Sequence, residues 1–167
     1  MLIRAEIPVD APGIDRLLRR CFPGADEAEQ VSCLREGGLL TLGIVATDDE
    51  GGVVGYVAFS PVTVDGEECQ WVGLAPLAVD EAYRRQGIAE QLVYEGLDTL
   101  NEFGYAGVTV LGESHYYQRF GFVNAAQHGL HCRWPGCDAL FQVYALAPQA
   151  LEQARGCIEY AEPFNHF

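Results

Sequence analysis

The sequence predicts an α/β domain built on a mixed sheet, and three observations predict it. Three strand-like runs follow one another between residues 42 and 79, joined by turn clusters as in a meander. A helix-period stretch over 86–103 then separates the last of these runs from a short apolar run at Gly107–Leu111, which is a strand–helix–strand crossover. And 49% of the 167 residues are hydrophobic against 20% charged, enough to bury a core and too much for a disordered chain. A meander joined to a crossover needs both antiparallel and parallel neighbours, hence a mixed sheet.

In order along the chain, Leu2–Ala5 reads as a first strand. Asp10 is placed to cap a helix that has Pro12 in its first turn and Ile14, Leu17, Leu18 and Cys21 at helical spacing. Pro23-Gly24 breaks it. A second short helix over 26–35 closes at Gly37-Gly38. Strands are expected over Leu42–Thr47, then Val53–Val64 after the turn cluster at 48–52, then 69–79 after the hairpin signal Asp65-Gly66. Ala75-Pro76 interrupts the third of these, and a proline inside a strand marks a bulge or a splayed edge. In the long helix Ile88, Leu92, Val93, Gly96 and Leu100 share one side, and Gly104 ends it. Beyond Gly107–Leu111 come a short helix at 113–120, a strand start at 122–124, a loop rich in Gly, Pro and His at 127–136, a strand over 139–146, a helical piece at 148–154 and an extended tail.

Composition excludes several functions. The formal net charge is −14, poorly suited to nucleic acid or an anionic membrane, both of which are met by basic faces. All ten Lys+Arg residues are arginines. Without lysine there is no Walker A site, no Schiff base and no kinase lysine, so any phosphate must be held by Arg side chains and backbone N–H groups. No stretch has the roughly 18 apolar residues of a membrane helix, and the N-terminus lacks a signal-peptide layout. A cytoplasmic protein is expected, in which the six scattered cysteines are reduced, small hydrophobes.

The strongest local signal runs from Leu77-Ala78-Val79 to Arg84-Arg85-Gln86-Gly87-Ile88-Ala89. A strand passes through a short turn into a helix whose start carries a glycine and a small alanine, with two arginines before them. A helix N-terminus offers unpaired N–H groups and the positive end of the dipole, and Gly87 lets the backbone come close to a ligand. Such a nest suits a diphosphate, with Arg84 and Arg85 adding charge-assisted hydrogen bonds. From spacing alone, the same residues also fit an ordinary strand–turn–helix joint with solvated arginines. A Rossmann fingerprint is absent.

Arg84-x-x-Gly87-x-Ala89 resembles the R/Q-x-x-G-x-G/A signature of the GNAT acetyltransferases. Pro76-Leu77-Ala78-Val79 looks like that family's splayed fourth strand. Tyr116-Tyr117-Gln118-Arg119-Phe120-Gly121-Phe122 is similar to its Y-x-x-x-G-F element, and the run from Gly112 to Phe122 resembles that of a bacterial subgroup with a C-terminal strand and tail. The resemblance implies the GNAT fold: a mixed, mostly antiparallel sheet, splayed between its fourth and fifth strands and flanked by helices. It implies one N-acetyltransferase domain over 1–167, with a core at 1–125 and a C-terminal strand and tail at 126–167. It implies acetyl-CoA as cosubstrate. Leu77, Ala78 and Val79 would border the pantetheine arm, Leu77 and Val79 through backbone groups. Arg84, Arg85, Gln86, Gly87, Ile88 and Ala89 would surround the pyrophosphate, and Tyr117 would stand near the sulfur. The chain departs from the family at Gly112-Glu113-Ser114, where many members carry an asparagine.

The implied chemistry is attack of a neutral primary amine on the thioester. A splayed strand leaves N–H groups unpaired, and that of Val79 is suited to an oxyanion. Tyr117 is then the general acid for the thiolate; the alternative is a packed aromatic that only fixes its helix. Glu113, His115, Glu36, Glu67 and Glu68 are candidates for the base, none preferred. His128, His131, Cys132 and Cys137 suggest a zinc site, but the H-x-x-H-C-x₄-C spacing is not a finger pattern, and no metal is expected. The expected partner is a small-molecule or peptide amine, with no nucleic acid and no membrane; homodimers are frequent in the family. A catalytically weak acyl-CoA-binding or regulatory module is the alternative function, and a non-enzymatic interaction module a third.

Overall fold

The computed structural model describes residues 1–134 and 136–165. Its strands are β1 (Leu2–Ala5), β2 (Leu42–Thr47), β3 (Val53–Val64), β4 (Glu67–Val79), β5 (Gly107–Leu111), β6 (Val123–Asn124), β7 (Leu130–Cys132), β8 (Phe141–Ala145) and β9 (Gly156–Tyr160). They form one sheet in the order β1-β2-β3-β4-β5-β8-β6, with β9 pairing both β3 and β7. All neighbours are antiparallel except β4 with β5 and β7 with β9. This is the expected mixed sheet. Its one long crossover, from β4 to β5, carries α3 (Ile88–Glu102).

The alternation of each strand sorts the core onto two faces. Val57, Phe59, Val72, Leu74, Val108 and Val110 pack with Ile88, Leu92, Val93, Leu97 and Leu100 of α3. Each of these buried apolar side chains contributes roughly 1.5–3 kcal/mol, so α3 and the turn that begins it are firmly seated. Tyr56, Ala58 and Ala78 point the other way, onto α1 (Ala11–Cys21) and α2 (Asp26–Glu36). Further along that second face, Val62, Trp71 and Val143 pack with the C-terminal residues Ile158, Tyr160 and Phe164 and with α5 (Ala150–Gln153) through Ala150. Among the described residues no helix is long and apolar enough to cross a membrane.

Three local details depart from expectation. Within the segment expected as a loop, Leu130–Cys132 form β7 because they find a partner in β9, far along the chain. Asp10 does not cap α1 through its side chain. Its carboxylate accepts two hydrogen bonds from Arg4, at 2.7 and 3.0 Å, and one from the Ile7 N–H at 2.8 Å. The Arg4 guanidinium holds the Asp10 carboxyl below its usual range. And Cys132 and Cys137 are joined as a disulfide, with Cα atoms 6.7 Å apart, where six reduced cysteines were expected; their separation of 5 positions does not by itself reveal the bond.

Candidate active site

Over Trp71–Gly73, β4 pairs in parallel with Gly107–Thr109 of β5. Beyond that rung the pairing stops, although β4 continues to Val79. The cause lies on the β3 side, where Val57 faces Leu77 but Phe59 faces Leu74, leaving Ala75 and Pro76 against Ala58 alone. An extra residue in one strand is a β-bulge, which bends it and breaks the ladder. Pro76 also has no N–H to give. The irregularity expected at Ala75-Pro76 is therefore present, and it opens a gap between β4 and β5.

The N–H groups on the open edge can be assigned. Asp80 N donates to Val54 O at 2.8 Å. Alternation in an antiparallel ladder then turns the N–H groups of Val79 and Leu77 away from β3, toward the gap. Ala78, between them, is buried against α1 and turns its side chain from the gap.

After Val79 the chain passes through Asp80 and a 3-10 turn, Glu81–Tyr83, to the start of α3. The Ala82 N–H, and behind it the Arg20 guanidinium at 2.8 Å, hold the Asp80 carboxyl below its usual range and fix the turn. Arg85 and Gly87 both have left-handed backbones, at φ 65° and 79°. Gly87 is the N-cap of α3 and has no side chain to satisfy the first turn. The N–H groups of Ile88, Ala89 and Glu90 consequently have no acceptor among the described residues. A Cβ at Gly87 would meet nothing nearer than Glu90 Oε2 at 3.9 Å, so a side chain there would project into the opening in front of these groups.

That opening is a cleft of about 460 Å³ lined by Val79, Arg84, Arg85, Gly87, Ile88 and Ala89, and by Tyr83, Glu90 and Tyr116. Of the predicted binding residues, Leu77, Ala78 and Gln86 do not line it. Arg84 turns its Nε onto the Val79 carbonyl at 3.0 Å. Arg85 is exposed and makes no ion pair among the described residues. Sequence reasoning missed Tyr83, Glu90 and Tyr116 as lining residues. Glu90 accepts from Arg119 at 2.9 Å, and the Arg119 guanidinium lies 4.5 Å from the centre of the Tyr116 ring. This clamp fixes α4 (Ser114–Tyr117) against α3, and its two halves are 29 residues apart in sequence.

Tyr117 is 9% exposed and packs edge-on against Tyr116 and Phe122, at 5.0 and 5.6 Å between ring centres. Its hydroxyl has no hydrogen-bond partner among the described residues. Burial, with a smaller contribution from Tyr116, pushes its phenol up to about 12. The Tyr116 hydroxyl is sealed from solvent without a partner. Gln142 of β8 donates to the Gly112 carbonyl at 2.8 Å and so holds the loop that leads into α4.

None of the other candidates lines the cleft. Glu67 and Glu68 lie at the far end of β4, some 30 Å or more from Val79 at about 3.3 Å per residue. Glu36, Glu113 and His115 are exposed. Cys132, Cys137 and Asp138 place one ligand atom each within 4.8 Å of one another, while His131 Nδ1 is 3.8 Å from Asp138 and His128 is not in the group. One partly buried carboxylate escaped the sequence reading: Glu6 accepts from Tyr56 at 2.6 Å and from Arg35 at 2.8 Å, which ties the end of β1 to α2.

A sheet split between β4 and β5, with unpaired N–H groups at the following helix start, defines an acyl-CoA N-acyltransferase architecture. The model of the acetyltransferase (GNAT) domain family matches residues 41–124, and the chain belongs to that family, which makes it an N-acetyltransferase. It is 66% identical over 167 residues, all of both chains, to the uncharacterized N-acetyltransferase YhbS of Escherichia coli K12. The crystal structure of Escherichia coli YhbS in complex with CoA superposes with a TM-score of 0.97, covering 99% of this chain and 92% of that one. A GNAT family acetyltransferase from Brucella melitensis in complex with acetyl-CoA is 36% identical, with a TM-score of 0.83 over 98% of this chain and 97% of that one.

Proposed function

We propose that the chain transfers the acetyl group of acetyl-CoA directly to a primary amine. The observation that carries this reading is the cradle at the start of α3. The first-turn N–H groups lack acceptors, Gly87 leaves the space in front of them clear, and Arg85 stands free beside it. A diphosphate supplies the acceptors and charge that this cradle lacks. CoA in the YhbS complex and acetyl-CoA in the Brucella complex support the choice of ligand.

From the cradle the pantetheine arm follows the open edge of β4, where the outward N–H groups of Leu77 and Val79 meet its amides. The thioester then lies in the gap beside Tyr117. The neutral amine attacks the carbonyl carbon, and the oxygen that gains charge takes a hydrogen bond from Val79 N–H. As the C–S bond breaks, Tyr117 gives its proton to the departing thiolate, while the new amide nitrogen loses one to solvent. A phenol pushed up to about 12 is fully protonated at neutral pH, as a proton donor must be.

Calorimetry with acetyl-CoA and CoA, followed by thiol release with a panel of amines, tests the reading. Binding plus amine-dependent thiol release is expected. Binding with no release for any amine favours a binding module, and no binding overturns the cofactor assignment.

A further inference from the structure

Gly73 of β4 and Thr109 of β5 form the last rung before the two strands part. A side chain from the far end of the chain closes the gap at that rung. The Tyr160 ring occupies the space where a Cβ on Gly73 would stand. Its hydroxyl accepts a hydrogen bond from Thr109 Oγ1 at 2.9 Å, and both residues are buried. The ring cannot swing aside, because β9 pairs Tyr160 with Val62 of β3, while Trp134 and Phe164 hold the ring at 5.4 and 5.5 Å between centres. On the other side of Gly73, its β3 partner Ser60 buries a hydroxyl oxygen with no partner.

We propose that Tyr160 sets the length of acyl group the chain accepts, by closing the inner end of the gap between β4 and β5 so that acetyl fits and a longer acyl chain meets the ring. This rests on the donor reading above, in which the thioester lies in that gap. The arm enters at the Val79 end of β4, so the carbons beyond the thioester extend toward Gly73. Tyr160 and Tyr117 belong to the packing clusters on opposite faces of the sheet. Burial raises the Tyr160 phenol above its usual range, against the opposing hydrogen bond from Thr109, so the hydroxyl stays protonated at the closed end of the gap. Tyr117 therefore borders the gap from the α3 side, and Tyr160 ends it from the other.

The experiment is a calorimetric series with CoA, acetyl-CoA, butyryl-CoA and hexanoyl-CoA on wild type, Tyr160→Phe, Tyr160→Leu and Tyr160→Ala. The readout is the affinity for butyryl-CoA relative to acetyl-CoA, with CoA itself reporting that each variant is folded. Wild type should prefer acetyl-CoA by about 10-fold or more, the scale of a methylene or two in a closed apolar pocket. Tyr160→Leu and Tyr160→Ala should each raise the relative affinity for butyryl-CoA about 10-fold, and Tyr160→Phe, which keeps the ring, should leave it at the wild-type value. An unchanged ratio in variants that still bind CoA overturns the proposal. So does wild type that binds butyryl-CoA as tightly as acetyl-CoA, a result that stands even if the smaller side chains unfold the protein. If wild type binds none of the four, it is the donor reading that fails.

Discussion

The two sides of the gap between β4 and β5 are built from different materials. On the α3 side the site is mostly backbone: the outward N–H groups of Leu77 and Val79, the unpaired first turn of α3 and the left-handed turns at Arg85 and Gly87. On the other side it is side chains drawn from three strands: Ser60, Thr109 and Tyr160, packed around Gly73 of a fourth. A backbone site is open and held by the strand and helix that flank it. A side-chain site is sealed and depends on packing at a distance. The first suits a cosubstrate part shared by every acyl-CoA, and the second suits discrimination.

Gly87→Val should have the largest effect on the backbone side, abolishing CoA binding in calorimetry while leaving the thermal transition near that of wild type. The left-handed backbone costs a non-glycine residue roughly 1–2 kcal/mol, small against what α3 gains by burial. The isopropyl group would stand in front of the free N–H groups, where nothing in the protein now stands. A variant that binds CoA as tightly as wild type would mean that the cradle is not the pyrophosphate site.

Tyr117→Phe should come next, because it acts where the two sides meet. The ring and its edge-on contacts with Tyr116 and Phe122 remain, so CoA affinity should hardly change. Loss of the proton donor should lower kcat by about 10²–10⁴-fold, less whatever water recovers. The sign of the pKa shift decides the pH profile. Burial raises the phenol to about 12, so it stays protonated through the neutral and mildly alkaline range. No falling limb from Tyr117 should appear between about pH 6 and 10, and the variant should be slower by a constant factor across that range. A wild-type rate in the variant would leave Tyr117 as a packing residue and turn the search for the acid to Tyr116.

This contrast also explains what could be read from the sequence. The backbone side was legible because its parts are contiguous: one strand, one turn and one helix start within residues 77–89. The bulge at Ala75-Pro76 was legible because proline cannot serve a central ladder. The mixed sheet followed from one hairpin signal and one crossover helix. What stayed hidden depends on residues far apart in the chain. Tyr160 reads as part of an extended tail until β9 pairs with β3 and lays its ring on Gly73. Glu90 and Arg119 are 29 residues apart and meet only where the segment that begins with α4 docks on α3. The Glu6, Tyr56 and Arg35 cluster joins three elements whose periodicity says nothing about one another.

The two arginines sharpen the picture of the backbone side. Arg85→Ala should weaken acetyl-CoA binding by about 1–3 kcal/mol, the scale of a charged hydrogen bond. Arg84→Ala should fall at the low end, because its Nε is already engaged with the Val79 carbonyl and only the rest of the guanidinium is free. Binding measured from low to high salt should become less salt-sensitive in both variants, since screening acts on the charged contact that has been removed. Equal affinity and an unchanged salt slope in both would mean that the arginines face solvent and that backbone alone holds the diphosphate.

The smallest expected effect lies away from the gap. Purified, tag-free protein should contain no stoichiometric zinc, and a chelator should leave acetyl-CoA binding unchanged. A closed structural zinc site takes four ligands, with thiolates supplying negative charge. The cluster at the end of β7 offers Cys132, Cys137 and Asp138, and its two sulfurs are bonded to each other and have no thiolate to give. His131 reaches Asp138 from an exposed position, and His128 stands outside the group. The same loop carries Trp134, which packs on Tyr160, so metal in this loop would also bear on the side-chain half of the gap. One zinc per chain by metal analysis would overturn the assignment, and a matching shift in the butyryl-to-acetyl preference after chelation would tie that metal to Tyr160.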